Sequence, residues 1–278
     1  MKDQDAEDAA RSLGRSVTEA QSKRFGVLTS CHAAGWEQYG RGMVETFDRF
    51  WPVDVPLYLY AEQFQPDHSR PMVRRLPAWL TEFKARHAGN ARAHGLIDGN
   101  YDFRYDCVRF AHKVAAVTDA ARSVEADVLV WADADIVTHA PVGTDWLTTL
   151  FPPGPYIAWL DRDQHYPECG FYMLRCSHPA HREIMTAWQQ LYETDTVFEM
   201  GETHDSHVLH QLLLKAESEG LISTHSLSGE TRARSHPFIN GPLGTRLDHL
   251  KGPRKVLGRS PMVDLINPRL EEYWCENR

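Results

Sequence analysis

A chain of 278 residues with 42% hydrophobic and 24% charged residues has the balance of a globular protein, long enough to bury its own core. No apolar run approaches the ~18 residues of a membrane span, and a formal net charge of -8 argues against non-specific nucleic-acid binding. Five scattered cysteines without a C-x-x-C pair point to reduced thiols in a cytoplasmic setting and away from structural zinc.

The first 23 residues are polar and mixed in charge and read as a loosely ordered or helical lead-in without the apolar core of a secretory signal. FGVLTS (25–30) and VPLYLYAE (55–62) are short apolar runs of the kind found in buried strands of a largely parallel sheet. Between them Trp36, Tyr39, Met43, Phe47 and Phe50 recur at spacings of three and four, which predicts a helix with an apolar core face and a strand–helix–strand opening. Residues 66–100 are rich in His, Arg, Gly and Asn and read as an insertion with a helix near 76–89. A clean helix follows Tyr105, with Arg109 and Lys113 four residues apart on one face, and leads into strand 128–131. Strands are expected at 156–163 and 168–176 and helices at 178–193 and 205–220, the latter capped by Asp205 or Ser206. Mixed strand and basic loop are expected after residue 221. The whole reads as one α/β unit with a mixed, mostly parallel sheet flanked by helices.

Two constellations carry chemistry. The run VLVW ends in Asp133-Ala134-Asp135, and carboxylates at the C-terminal end of a parallel strand lie where open α/β sheets bind ligands. Two carboxylates one residue apart repel, and together they suit a hard divalent cation such as Mn²⁺ or Mg²⁺. Near the C-terminus, His249, Gly252 and Lys255 form H-x-x-G-x-x-K, with Lys251 inside it. An imidazole can complete a metal site, a glycine admits close backbone approach, and lysines neutralise phosphate. Each motif also occurs without such a role, as a solvated turn or a basic surface loop.

Taken together, a strand ending in D-x-D, an upstream helix with Arg and Lys, and a late H-x-x-G-x-x-K resemble the GT-A fold glycosyltransferases, in particular the retaining, glycogenin-like and galactosyltransferase-like group. The likeness runs from about Phe25 to Lys255 in the order of elements. It implies that Asp133, Asp135 and His249 bind Mn²⁺ (or Mg²⁺), and that Lys255 contacts the diphosphate of a nucleotide sugar, with UDP as the default. Gly252 would allow close approach, while Lys251, Arg109 and Lys113 would lie near the donor. Val256 and Leu257 follow Lys255 where the group usually carries Pro-Trp. On this likeness residues 24–140 form a nucleotide-sugar-binding half and 141–278 an acceptor-binding, site-completing half.

The resemblance further suggests Asp205 at the reaction centre, with Glu168 against sugar hydroxyls. The bland reading of Glu168 is an ion pair with Arg162 or another arginine. His204, His207 and His210, spaced by three, could in principle hold zinc but read better as hydrogen-bonded fillers. The expected activity is metal-dependent transfer of a hexosyl-type unit to an acceptor hydroxyl with retention. The acceptor class (carbohydrate, lipid-linked glycan, protein or small molecule), oligomeric state and any peripheral position at a membrane stay open. The alternatives are a sugar-phosphate nucleotidyltransferase and a non-catalytic sugar-nucleotide-binding protein on the same fold.

Overall fold

The computed structural model of the chain describes residues 23–230 and 236–275; the expected lead-in falls, up to residue 22, outside them. Its centre is a seven-stranded sheet in the order β10-β8-β9-β6-β1-β2-β3. The strands are β1 (Phe25–His32), β2 (Leu57–Glu62), β3 (Met72–Arg74), β6 (Val128–Ala132), β8 (Ile157–Arg162), β9 (His165–Arg175) and β10 (Thr224–Ser226). Every neighbour pair is parallel except the two made by β9, which runs antiparallel to both β6 and β8. The mixed, mostly parallel sheet flanked by helices is the expected one. Its edge strand β3 comes from the segment read as an insertion.

Both faces of the sheet are covered, which explains why β6 is apolar throughout. Leu129 and Trp131 join a cluster built with α3 (Cys107–Ser123), α5 (His181–Glu193) and α6 (Asp205–Ser218), while Val128, Val130 and Ala132 join the opposite cluster with α1 (Arg41–Phe50) and α4 (Thr144–Leu150). Helix α1 enters through a π-helical turn at Trp36–Gly40. Trp36 and Phe47 are core residues as expected, whereas Tyr39 is only partly buried. The remaining helix of the first half, α2 (Ala78–Arg86), packs Trp79, Leu80 and Phe83 into the first cluster.

Two small ladders complete the strands: β4 (Leu96–Ile97) with β5 (Asn100–Tyr101), and β7 (Ile136–Thr138) with β11 (Leu247–His249), both antiparallel. The second matters most, because it ties the late basic segment to the residues just after the acidic pair. Short helices α7 (Pro237–Asn240), α8 (Arg254–Leu257) and α9 (Glu272–Cys275) surround it. No described helix is long and apolar enough to cross a membrane. All five cysteines are unbridged, as expected.

Trp188 of α5 is fully buried in the first cluster, and its indole N–H has no hydrogen-bond partner among the described residues. Trp188→Ala is expected to lose about 3–5 kcal/mol in urea denaturation through the cavity it leaves. Trp188→Phe, which keeps much of the ring and discards an unpaired N–H, should lose clearly less.

Candidate functional site

The site is built on the C-terminal edge of the parallel strands. Strand β6 ends at Ala132, so Asp133 and Asp135 emerge at the strand's C-terminal end. The Asp133 amide donates to the Gly170 carbonyl (2.8 Å) and the Ile136 amide to the Asp133 carbonyl (3.0 Å), which closes a tight turn. Because β9 runs against β6, its first half, Glu168-Cys169-Gly170, reaches this same edge.

The β7–β11 ladder pairs His249 with Ile136, and the Leu250 amide donates to the Asp135 carbonyl (2.9 Å). Asp133, Asp135 and His249 each offer a ligand atom, and those atoms lie within 4.8 Å of one another. Theirs is the one such grouping among the described residues. His249 is buried; its Nδ1 donates to Glu168 Oε1 (2.7 Å), and its Nε2 to Asp135 Oδ1 (3.0 Å), 3.6 Å from Asp133 Oδ2. Gly170 makes room for the ring, since a Cβ there would sit 2.3 Å from His249 Cε1.

Cations balance the carboxylates in three places. Lys113 Nζ lies 2.9 Å from Asp133 Oδ1 and donates to Asp205 Oδ2 (2.6 Å) and to the Cys169 carbonyl (2.8 Å). Lys255 Nζ sits 3.0 Å from Asp135 Oδ2 and over the Tyr39 ring, and Lys251 Nζ sits 3.0 Å from Glu168 Oε1. For Lys113, Asp135 and Glu168 burial works against the charge, and the neighbours outweigh it. Lys113 is raised by Asp133 and Asp205, Asp135 is lowered by His249 and Lys255, and Glu168 is lowered by Lys251 and His249. Burial would lower His249 too, yet the Asp135 and Glu168 carboxylates lift it to about 9, so the ring is an imidazolium at neutral pH. Behind it His236 Nε2 donates to the His249 carbonyl (3.2 Å); burial pushes this second ring down, toward the neutral form.

Two cavities flank the Asp133–Lys113 pair. One, of about 610 Å³, is lined by the ends of β1 and β2 (Ser30, His32, Glu62), by Arg109 and Tyr39, and by Asp135 and Lys255. The other, of about 530 Å³, is lined by Phe103, Arg104, Tyr166, Glu168, Asp205 and Lys251, among others. Arg109 and Lys113 therefore share the first cavity as their spacing predicts, with the Arg109 guanidinium donating to the Tyr101 hydroxyl (3.2 Å). Gly252 has φ +55°, and nothing among the described residues stands within 4 Å of where a Cβ would lie.

Several sequence expectations change in detail. His204, and not Asp205 or Ser206, caps α6, its Nδ1 accepting from the His207 amide (3.4 Å). This frees the Asp205 carboxylate for Lys113. Glu168 meets His249 and Lys251, whereas the Arg162 Nε donates to the Tyr166 carbonyl (2.8 Å). The three histidines of α6 do not converge on a metal: His204 Nε2 meets Glu202 (2.9 Å) and His207 Nε2 donates to the Met200 carbonyl (2.7 Å). Trp131 escaped the sequence reading, although its indole donates to Asp133 Oδ1 (2.7 Å); a tryptophan two residues before an acid on the same strand face was the available signal. Nothing local marked His236. The thiols of Cys31 and Cys169 beside the site are pushed up to about 12, chiefly by burial, which leaves them poor nucleophiles.

The chain matches no protein-family profile and no curated protein. Among solved structures it is similar to the apo form of mouse xyloside xylosyltransferase 1, at 10% sequence identity and a TM-score of 0.45, over 74% of this chain and 85% of that one.

Gly170→Ala is expected to destabilise the fold by about 1–3 kcal/mol, because the new methyl overlaps the buried His249 ring and neither strand can yield freely. Chemical denaturation measures it. An unchanged midpoint would mean that the ring moves aside without cost.

Proposed function

We propose that the chain is a metal-dependent glycosyltransferase that moves a sugar from a nucleoside-diphosphate sugar to an acceptor hydroxyl. The observation that carries this reading is the convergence of Asp133, Asp135 and His249 at the C-terminal edge of the sheet, between two cavities. Two carboxylates and one imidazole, its Nε2 deprotonated as the cation binds, are a donor set for a divalent cation such as Mn²⁺ or Mg²⁺. The hydrogen bond from His249 Nδ1 to Glu168 favours the same assignment, because it fixes the ring and turns Nε2 toward the carboxylates, as metal-binding histidines are held. A bound cation would supply Lewis-acid neutralisation of the diphosphate as the glycosidic bond breaks.

The chain's own residues do the rest. In the larger cavity the strand ends and Arg109 receive the nucleoside. Lys255, in α8 just after the turn at Gly252, moves its ammonium from Asp135 to phosphate, and Lys251 stands on the other side of that turn. Lys113 holds Asp133 and Asp205 in place between the cavities. Asp205 lines the smaller cavity, where the transferred sugar and the acceptor meet, and stabilises positive charge at the anomeric carbon. Glu168 acts through His249 as a positioning residue, in place of the sugar contact considered first. The acceptor oxygen attacks from the side of the leaving phosphate, which takes its proton, so the product retains configuration. Product anomer analysis checks that last step, since inversion would require a base on the opposite side.

A nucleotidyltransferase reading gains no support here. The turn after β1, residues 33–40, contains neither Lys nor Arg, whereas a triphosphate site at that position calls for basic residues.

In a thermal-shift panel of UDP, GDP, CDP and ADP with and without Mn²⁺, one nucleotide should stabilise the protein in a metal-dependent way. Asp133→Asn/Asp135→Asn should abolish that shift. Glu168→Gln should weaken Mn²⁺ binding roughly 10–100-fold, the usual effect of losing a carboxylate behind a ligating histidine. No metal-dependent shift with any nucleotide in the wild type would sink the proposal.

A further inference from the structure

We infer that Arg162 forms an anion-binding subsite, so that the acceptor brings a carboxylate or a phosphate to this enzyme; the assignment to an acceptor rests on the glycosyl-transfer reading above. Four cationic side chains line the smaller cavity: Arg104, Lys113, Arg162 and Lys251. Three are already matched by carboxylates. Arg104 is paired with Asp102 (2.6 Å) and Glu202 (3.4 Å), Lys113 with Asp133 and Asp205, and Lys251 with Glu168. Arg162 has no carboxylate partner among the described residues, and its one side-chain hydrogen bond there is from Nε to the Tyr166 carbonyl (2.8 Å). That bond orients the guanidinium while the two Nη groups keep their donors for a ligand. A planar pair of N–H donors fits a carboxylate or phosphate in a two-pronged contact.

Position supports the same role. Arg162 pairs with His165 across the tight β8–β9 hairpin, whose turn residue Gln164 has φ +57°. The β8–β9 register shifts on either side of Leu160, and irregular pairing of this kind re-aims side chains beside functional sites. Arg162 and Tyr166 also line a third cavity, of about 480 Å³, with Trp159, His165 and His210. They thus stand where the two cavities adjoin. Asp161 lines the outer cavity and accepts a hydrogen bond from the Ser226 hydroxyl, and Asp163 flanks the turn. Both are exposed, and neither approaches the guanidinium within ion-pair distance.

Isothermal titration of glucose, glucuronate and glucose 6-phosphate into the wild type, Arg162→Ala and Arg162→Lys tests this. At least one acidic sugar should bind the wild type roughly tenfold more tightly than glucose, the worth of one charge-assisted contact. Arg162→Ala should erase that preference with its melting temperature maintained. Arg162→Lys separates the two sources: a uronate would lose its two-pronged contact and weaken, whereas a phosphate would be largely retained by the point charge. Equal binding of glucose and both acids, no binding of either acid, or a preference that survives in Arg162→Ala would overturn the subsite. Nucleotide and Mn²⁺ binding, measured on the same proteins, tells the two claims apart. If both remain while the acid preference is missing, the subsite alone fails. If the wild type prefers acids but binds no nucleotide, the subsite stands and the glycosyl-transfer reading falls.

Discussion

Four carboxylates, those of Asp133, Asp135, Glu168 and Asp205, crowd one edge of the sheet, and the arrangement around them follows from the need to hold that charge. At an effective dielectric of about 20, two unit charges at the separations found here repel by about 3–4 kcal/mol. Withdrawing carboxylates from water adds to this cost. The protein answers with Lys113, Lys251, Lys255 and the His249 imidazolium, each within 3.0 Å of a carboxylate oxygen. Not all of these cations are equally committed. Lys113 lies deep among protein partners, whereas the Lys251 and Lys255 side chains are partly exposed. The exposed pair can be exchanged for other positive charge, and the buried one keeps the frame.

Topology makes this concentration possible. In a wholly parallel sheet only the C-terminal ends of strands would reach the site edge, with the loops that follow them. Reversal of β9 lets a strand interior contribute instead, so that Glu168 and Gly170 arrive from within a strand. The β7–β11 ladder does the same for His249 by backbone pairing. Ligands presented by paired strands are held closer to a productive geometry than ligands on free loops.

The cavities on either side of Asp133 give the site a direction. The larger one opens over the ends of β1 and β2, and the smaller one extends through Tyr166 and Arg162 toward a third. A donor on one side and an acceptor on the other would meet beside Lys113 and Asp205. On the proposed reading this division would also separate the tasks: phosphate chemistry on the Lys255 side, recognition of a hydroxyl-bearing partner on the aromatic and guanidinium side.

Much of this was legible in the residues alone. Short apolar runs located β1, β2 and β6, and apolar spacings of three and four located α1 and α3, since those patterns report which faces must be buried. The end of β6 and the capacity of Asp133, Asp135 and His249 to hold a divalent cation were legible in residue type and spacing. Pairings across long stretches of chain were not legible. His249 meets Glu168 across 81 residues and Asp135 across 114. No local pattern reveals that β9 is reversed, that His204 takes the cap of α6 and releases Asp205, or that Tyr39 turns from core to cleft. The sequence by itself determined the elements, the buried faces and the acid and base inventory, because these depend on side-chain chemistry and short-range backbone preference. The tertiary structure decided which acid each cation neutralises and left Arg162 without an acidic partner among the described residues, because that choice rests on strand order and register.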